Sequence, residues 1–391
     1  MKTKILLLLV ADFFILISCE KELINTDSVT KSINKSAVVE PGVIESVIIH
    51  SPSLEENLLG DPADRNVNVY LPKSYYACPD KHFPVIYFLH GTPAWGNMLM
   101  SPEPFEIFKQ CANLAAPVDF PEEGFLDWVN NLIDEKGMKE AIIVMPDAKT
   151  LFGPSLYLNS VVQGNYEDYI VKDLVSYIDN HYRTIAHFNW RAITGHCAGA
   201  YGALNLAMKH PKVFRYAGAL SPSHFPEETV LAIAGFMQME DAIWEEMGAP
   251  AGPLPYEPFQ PFKFANNSAY ALAQAWLPNP EKPYLADLPF CYTEGIPVIN
   301  QDLMAKWNAQ NLIAMVQRNR VGLKQLKTIY FDCGREDDLG MYQPNVVLHN
   351  ILTEMEVKHQ FEIYGGTHIR NLYNRLGKLW IEFSHEFPDY E

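Results

Sequence analysis

Between Trp190 and Leu204 a short apolar segment, Arg191-Ala192-Ile193-Thr194, runs into Gly195-His196-Cys197-Ala198-Gly199 and on through the small residues Ala200, Gly202 and Ala203. This succession fits a sharp strand-to-helix turn, because bulky neighbours of the central residue would clash there. Such a turn needs a strand covered on both faces and a helix packed back on it, so the surrounding chain is committed to a layered α/β architecture. The turn also projects the Cys197 side chain out of the layer. The backbone N–H groups that open the helix favour negative charge, and the N–H of Ala198 is the first candidate donor to a developing oxyanion.

The rest of the sequence repeats this alternation. Short apolar runs bounded by turn residues recur at Ile44–Ile49, Val67–Leu71, Val85–Leu89, Ala141–Met145, Arg191–Thr194, Tyr216–Leu220, Thr328–Phe331 and Phe361–Tyr364. Runs that are apolar throughout, such as Val85-Ile86-Tyr87-Phe88-Leu89, predict strands buried on both faces of a mostly parallel sheet. Between them lie helical periods, most clearly Tyr166, Ile170, Leu174, Ile178 and Tyr182, with Val171 and Val175 widening the stripe and Asn165 placed to cap. Residues 223 to 300 stand apart, with many prolines, among them Pro253, Pro255, Pro258, Pro261, Pro278, Pro280, Pro283 and Pro289, and weak periodicity. They read as an insertion after the Tyr216–Leu220 strand, either a cap over the site or an irregular surface excursion.

With 48% hydrophobic and 20% charged residues in 391, a large core is available and disorder is excluded. The balance of 30 Lys+Arg against 47 Asp+Glu gives a net charge of −17, with no basic run, so nucleic acid is not an expected partner.

The first 18 residues carry Lys2 and Lys4 and then an apolar stretch, Ile5–Ser18, of 14 residues. That is shorter than the roughly 20 needed to span a bilayer and matches a signal-peptide core. Leu16-Ile17-Ser18-Cys19 resembles a bacterial lipobox, which implies acylation of Cys19, a flexible tether over residues 19–42 and a folded domain over 43–391. Asp12 interrupts the apolar core, and a secretory signal with an incidental cysteine is the alternative. Glu20-Lys21-Glu22 resembles surface-export signals of some Gram-negative lipoproteins, so the expected location is the outer membrane, on its periplasmic or its surface face. Five cysteines follow Cys19, namely Cys78, Cys111, Cys197, Cys291 and Cys333, with no CxxC pair. An odd number leaves a thiol free, and a disulfide framework is not expected. No HExxH, zinc-ligand spacing, EF-hand, P-loop or strand-following GxGxxG occurs, so neither a metal nor a cofactor is expected.

Taken together, Asn165-Tyr166-Glu167-Asp168-Tyr169-Ile170, Tyr182-Arg183-Thr184, the Gly195–Leu204 segment, His210-Pro211 and Phe214 resemble the esterase D family of α/β-hydrolases, which includes feruloyl esterases, S-formylglutathione hydrolases and mycolyltransferases. The likeness covers about residues 64 to 387, with Arg65–Pro72, His90-Gly91, Asp287-Leu288-Pro289-Phe290 and Asp332-Cys333-Gly334 as further landmarks. It implies an α/β-hydrolase fold and a nucleophile, acid and histidine in that chain order. The departure is at the nucleophile itself, where the family carries G-H-S-x-G-G and this chain has Cys197 and then Ala200. Three readings follow: a working thiol nucleophile, as in dienelactone hydrolase, a relative by fold; a degenerate enzyme; or a structural cysteine.

The resemblance also points to the partners of Cys197. Asp337, in the acidic loop after the Thr328–Phe331 strand, fits the family's G-x-x-D position, with Asp338 as its rival and Asp332 as a strand-end structural residue. Of the 12 histidines, His368 alone follows a late strand at the G-x-H position, which makes it the general base. His90-Gly91-Thr92 occupies the oxyanion loop, so the Thr92 N–H is the second donor and His90 a structural residue, while Pro93 has no N–H to give. Trp95, Tyr157, Tyr166, Glu167 and Trp276 are candidates to line a pocket, or are plain core.

The implied function is an exported carboxylic ester or thioester hydrolase, acting on a small-molecule ester or on glycan-linked feruloyl or acetyl groups, with membrane contact through a lipid anchor only. Because a thioester intermediate is readily passed to other acceptors, an acyltransferase is a variant. The competing class is an inactive hydrolase fold retained as a surface ligand- or glycan-binding lipoprotein, a role in which Asp337 and His368 would have no need to persist.

Overall fold

The computed structural model describes residues 41–92, 98–101, 118–255 and 263–389. Cys19, Cys111 and Trp95 lie outside the described residues. The chain divides into Met1–Val38 and Val39–Glu391, and all that follows concerns the second unit.

The eight apolar runs form a single sheet. Its strands are β1 (Val43–His50), β2 (Asp64–Leu71), β3 (Val85–Leu89), β4 (Ile142–Pro146), β5 (Arg191–His196), β6 (Tyr216–Leu220), β7 (Thr328–Gly334) and β8 (Gln360–Tyr364). They lie in the order β1-β2-β4-β3-β5-β6-β7-β8. β2 is antiparallel to both of its neighbours, and every other pairing is parallel. This is the α/β-hydrolase arrangement, with a mostly parallel sheet flanked by helices.

Unbroken apolarity in the central strands reflects cover on both faces. Val85, Tyr87 and Leu89 of β3 belong to a core shared with the helical segment 166–181 and the helices Ala198–Lys209 and Tyr342–Glu354. Ile86 and Phe88 belong to the opposite core, built against helices Phe125–Asp134 and Leu372–Glu386, with Trp128 and Trp380 at its centre.

The stripe spaced by strict fours has a structural consequence. Residues stepping by four drift away from one face of a 3.6-residue helix. The segment absorbs the drift by running α-helical over Tyr166–Asp168, π-helical over Tyr169–Leu174 and α-helical again over Val175–His181, which keeps Tyr166, Ile170, Leu174 and Ile178 buried. Asn165 heads this helix but makes no side-chain cap. Asn159 caps instead, its Oδ1 accepting from the Asp168 N–H at 3.1 Å, because Asn165 is engaged in a two-residue ladder opposite Asn159.

The 223–300 insertion is more ordered than its composition suggests. It contains the helix Glu227–Glu246, the helix Phe264–Trp276 and a hairpin of Phe290–Thr293 with Ile296–Ile299. The first helix buries only Val230, Ala234 and Met237. So narrow a stripe leaves little periodicity to read, and Pro253, Pro255, Pro278, Pro280 and Pro289 sit between these elements, while Pro297 lies inside the second hairpin strand. Trp276 anchors the insertion to the Ala198–Lys209 helix through Tyr201, with the ring centroids 5.8 Å apart, and packs on Trp307 at 4.7 Å.

Candidate active site

Loops leaving the carboxyl ends of β3, β5, β6, β7 and β8 converge on Cys197, at the edge where open α/β sheets gather their chemistry. Cys197 has φ 58° and ψ −121°, a strained backbone that L side chains rarely adopt, and the next helix begins at Ala198. Neighbours lock this turn in place. The Cys197 N–H donates to the Leu220 carbonyl at 3.0 Å, and the Ser223 N–H donates to the Cys197 carbonyl at 3.3 Å. Gly91 lies against it so closely that a side chain there would place its Cβ 2.8 Å from Cys197 Cβ. Thr92, half-buried, follows directly. The segment expected to form an oxyanion loop thus runs beside Cys197.

His368 and Asp337 meet as a buried pair. His368 Nδ1 lies 2.8 Å from Asp337 Oδ2, with both side chains fully enclosed. The other carboxylate oxygen, Oδ1, accepts from the N–H groups of Leu339 (3.0 Å) and Met341 (3.2 Å), which aims Oδ2 at the imidazole. Asp338 has a different task, because its Oδ1 accepts from the His368 backbone N–H at 3.1 Å. The two neighbouring acids thus divide the histidine between them, Asp337 taking the ring and Asp338 the main chain.

The electrostatics follow from this geometry. Burial pushes the Cys197 thiol up, but the charge of His368, together with the close approach of its ring, the Ser223 hydroxyl and the Ala198 N–H, brings it below its ordinary value. Burial pushes His368 down, and the charges of Asp337 and then Cys197 reverse this, leaving the imidazole well above its ordinary value. Burial alone would raise Asp337, but His368 holds it below the usual carboxylate range. No hydrogen bond of good geometry reaches His368 Nε2, although the ring acts strongly on the Cys197 sulfur. Both shifts favour the charged forms, thiolate and imidazolium. Among the described residues, no cluster of three or more His, Cys, Asp or Glu could hold a metal ion.

Other sequence candidates separate cleanly. His90 is structural: its Nε2 accepts from the Ala148 N–H at 2.9 Å, and its Nδ1 lies 3.0 Å from the Gly91 carbonyl. Asp332 is also structural, paired with Arg375 Nη1 at 2.7 Å and accepting from the Ser221 N–H at 3.0 Å. Of the pocket-or-core candidates, the structure places Tyr166, Glu167 and Trp276 in packing and bracing positions. The Tyr166 hydroxyl donates to the Lys149 carbonyl at 2.9 Å beside the Arg65 guanidinium. Glu167 braces Lys209 (2.8 Å) and His210 (2.7 Å) at the end of the Ala198–Lys209 helix. Trp276 is 5% exposed within the Tyr201–Phe225–Trp307 cluster. Tyr157 is likewise core, its hydroxyl donating to the His90 carbonyl at 2.7 Å.

Two features escaped sequence reasoning. Ser223 places its Oγ 3.3 Å from Cys197 Sγ, and nothing in Ser221-Pro222-Ser223 marks it. The His368 carbonyl is gathered by the His196 ring (3.2 Å), Ser221 Oγ (3.3 Å) and Arg375 Nη2 (3.4 Å). Here a signal existed. Arg375 interrupts the apolar run Leu372, Leu376, Leu379, and a cation on a buried face calls for a partner.

Comparison with known proteins gives a consistent picture. The esterase family model matches residues 62–390, well over half of the chain. Among curated proteins, an S-formylglutathione hydrolase of Saccharomyces cerevisiae is 28% identical over 213 residues, covering 49% of this chain and 66% of that one. An esterase of Mycobacterium tuberculosis is 29% identical over 156 residues, covering 40% and 28% respectively. The chain therefore spans less than two thirds of the length of these curated relatives. Among solved structures, a ferulic acid esterase superposes with a TM-score of 0.53 at 18% identity, covering 89% of this chain and 99% of the other. An S-formylglutathione hydrolase of Staphylococcus aureus gives 0.50 at 18% identity over 89% and 100%. At such identities the shared property is the fold.

Proposed function

The chain belongs to the esterase family, and from that premise we propose that it hydrolyses carboxylic esters or thioesters with Cys197 as nucleophile, His368 as acid and base, and Asp337 as the group that orients the histidine. The observation that carries this reading is the buried His368–Asp337 pair acting on a cysteine held at a strained elbow. Cys197 Sγ attacks the acyl carbonyl carbon, and the N–H groups of Ala198 and Thr92 receive the oxyanion. As the tetrahedral species collapses, His368 Nε2 gives its proton to the leaving oxygen or sulfur and the acyl group remains on Cys197 as a thioester. Water, deprotonated by His368, then attacks the thioester, releasing the acid and restoring the thiolate. Asp337 keeps the ring in the tautomer that presents Nε2 to both steps.

Export through the leader and acylation of Cys19 would bring this site to the outer membrane, where feruloyl or acetyl esters of glycans are the substrates proposed. The fold shared with a ferulic acid esterase supports that choice. Retention of a well-formed acid–base pair supports an active enzyme over a binding protein.

The test is to trap the intermediate. After acid quenching of a reaction with p-nitrophenyl acetate, the intact protein gains one acetyl group, which maps to Cys197, is removed by neutral hydroxylamine and is absent from Cys197→Ala. An unmodified Cys197 under turnover would contradict the mechanism.

A further inference from the structure

The hydroxyl of Ser223 lies beside Cys197 and has no part in the proposed triad. It is 3% exposed, its Oγ lies 3.3 Å from Cys197 Sγ, and its N–H reaches back to the Cys197 carbonyl. We propose that Ser223 is a positioning residue that donates its hydroxyl hydrogen to the Cys197 thiolate, fixing the sulfur in its resting orientation and stabilising its charge.

This rests on Cys197 being the nucleophile. It takes Cys197 in the thiolate form, which has no proton to give and can only accept, so the Ser223 hydroxyl is the donor across the 3.3 Å contact. The remaining groups that act on the sulfur are the His368 imidazolium, with Asp337 behind it, and the Ala198 N–H at the helix start. Tyr157, also buried nearby, spends its hydroxyl on the His90 carbonyl at 2.7 Å. Among the described residues, Ser223 is thus the neutral side chain whose hydroxyl meets the sulfur. It suits sulfur in particular, whose diffuse lone pairs accept several donors at once.

Such a bond has a double signature. A hydrogen bond to a charged group shifts its acidity by about one pKa unit. It also quiets the nucleophile, because thiolate reactivity falls with pKa along a Brønsted slope of about 0.4–0.5, so one unit corresponds to about threefold in rate.

The experiment is the pH profile of iodoacetamide alkylation of Cys197 in the full-length protein and in Ser223→Ala, read by mass spectrometry. The expected result is a midpoint about one unit higher in the variant together with a plateau rate about threefold faster. Ser223→Gly, which deletes the same hydroxyl, gives the same two readings should the Ala methyl group unsettle the loop. A variant profile superimposable on that of the parent overturns the proposal, as does a raised midpoint with an unchanged or slower plateau. If instead the parent itself titrates as an ordinary thiol, indifferent to His368→Ala, both this proposal and the nucleophile assignment fall.

Discussion

At the scale of single residues, the site turns on how two adjacent carboxylates are used. Asp337 meets the His368 ring at 2.8 Å, while Asp338 meets the His368 backbone N–H at 3.1 Å. An amide at 337 can no longer stabilise an imidazolium and can present the wrong hydrogen-bonding atom to Nδ1. Asp337→Asn therefore lowers kcat by about 10²- to 10⁴-fold on p-nitrophenyl acetate. Asp338→Asn keeps a carbonyl acceptor for the N–H, so its kcat stays within about tenfold of the parent. Equal losses in the two variants would contradict this division of labour. Sequence brought both acids to the right loop but could not rank them by geometry. Two consecutive residues in a turn point in different directions, and only the fold decides which one faces the imidazole. The same limit applies to Tyr166, Glu167 and Trp276, whose types suit a pocket as well as they suit a core.

All eight strands of the sheet were visible as apolar runs: β3, β4 and β6 are buried at every residue, and cover on both faces leaves no polar interruption, while the partly buried edge strands β1 and β8 keep short apolar runs around Glu45 and Glu362. The helix Glu227–Glu246 was not, because it buries three residues of twenty and its outer face carries Phe236 and Met239 in the open. The elbow was the clearest element, since close approach dictates its composition. A Cβ on Gly199 would stand 2.0 Å from the Leu89 carbonyl oxygen, so β3 and the start of the helix cannot both keep their places. Gly199→Ala accordingly costs about 3 kcal/mol or more in urea unfolding. Gly235, within the Glu227–Glu246 helix, has open space where its Cβ would lie, and Gly235→Ala stabilises by about 0.5–1 kcal/mol. Similar effects of the two substitutions would show that packing at the elbow is looser than described.

Over the whole molecule, the strands bring together residues as distant in sequence as Thr92 and His368, and the buried pair that results makes stability depend on pH. Asp337 is held below its ordinary value of 3.8, so its contribution is full above that pH and is lost as the pH falls through the lower folded value. His368 is held well above 6.5, so its contribution is full below 6.5 and is lost as the pH rises through the higher folded value. Both act together between those two ordinary values. The difference in melting temperature between the parent and His368→Ala is therefore greatest there and shrinks as the pH rises above neutrality. Taking the difference cancels the self-repulsion of a chain with net charge −17, which both proteins share. A difference that grows with alkalinity would mean the histidine is buried in its neutral form.

The central claim is that Cys197 does the work a serine does elsewhere in the family, and turnover of p-nitrophenyl acetate by four proteins tests it most directly. The four are the parent, Cys197→Ala, Cys197→Ser and His368→Ala. With Cys197 as nucleophile, the parent turns over and both Ala variants fall to background. A silent parent beside an active Cys197→Ser would contradict it, showing an intact esterase scaffold that its cysteine has switched off.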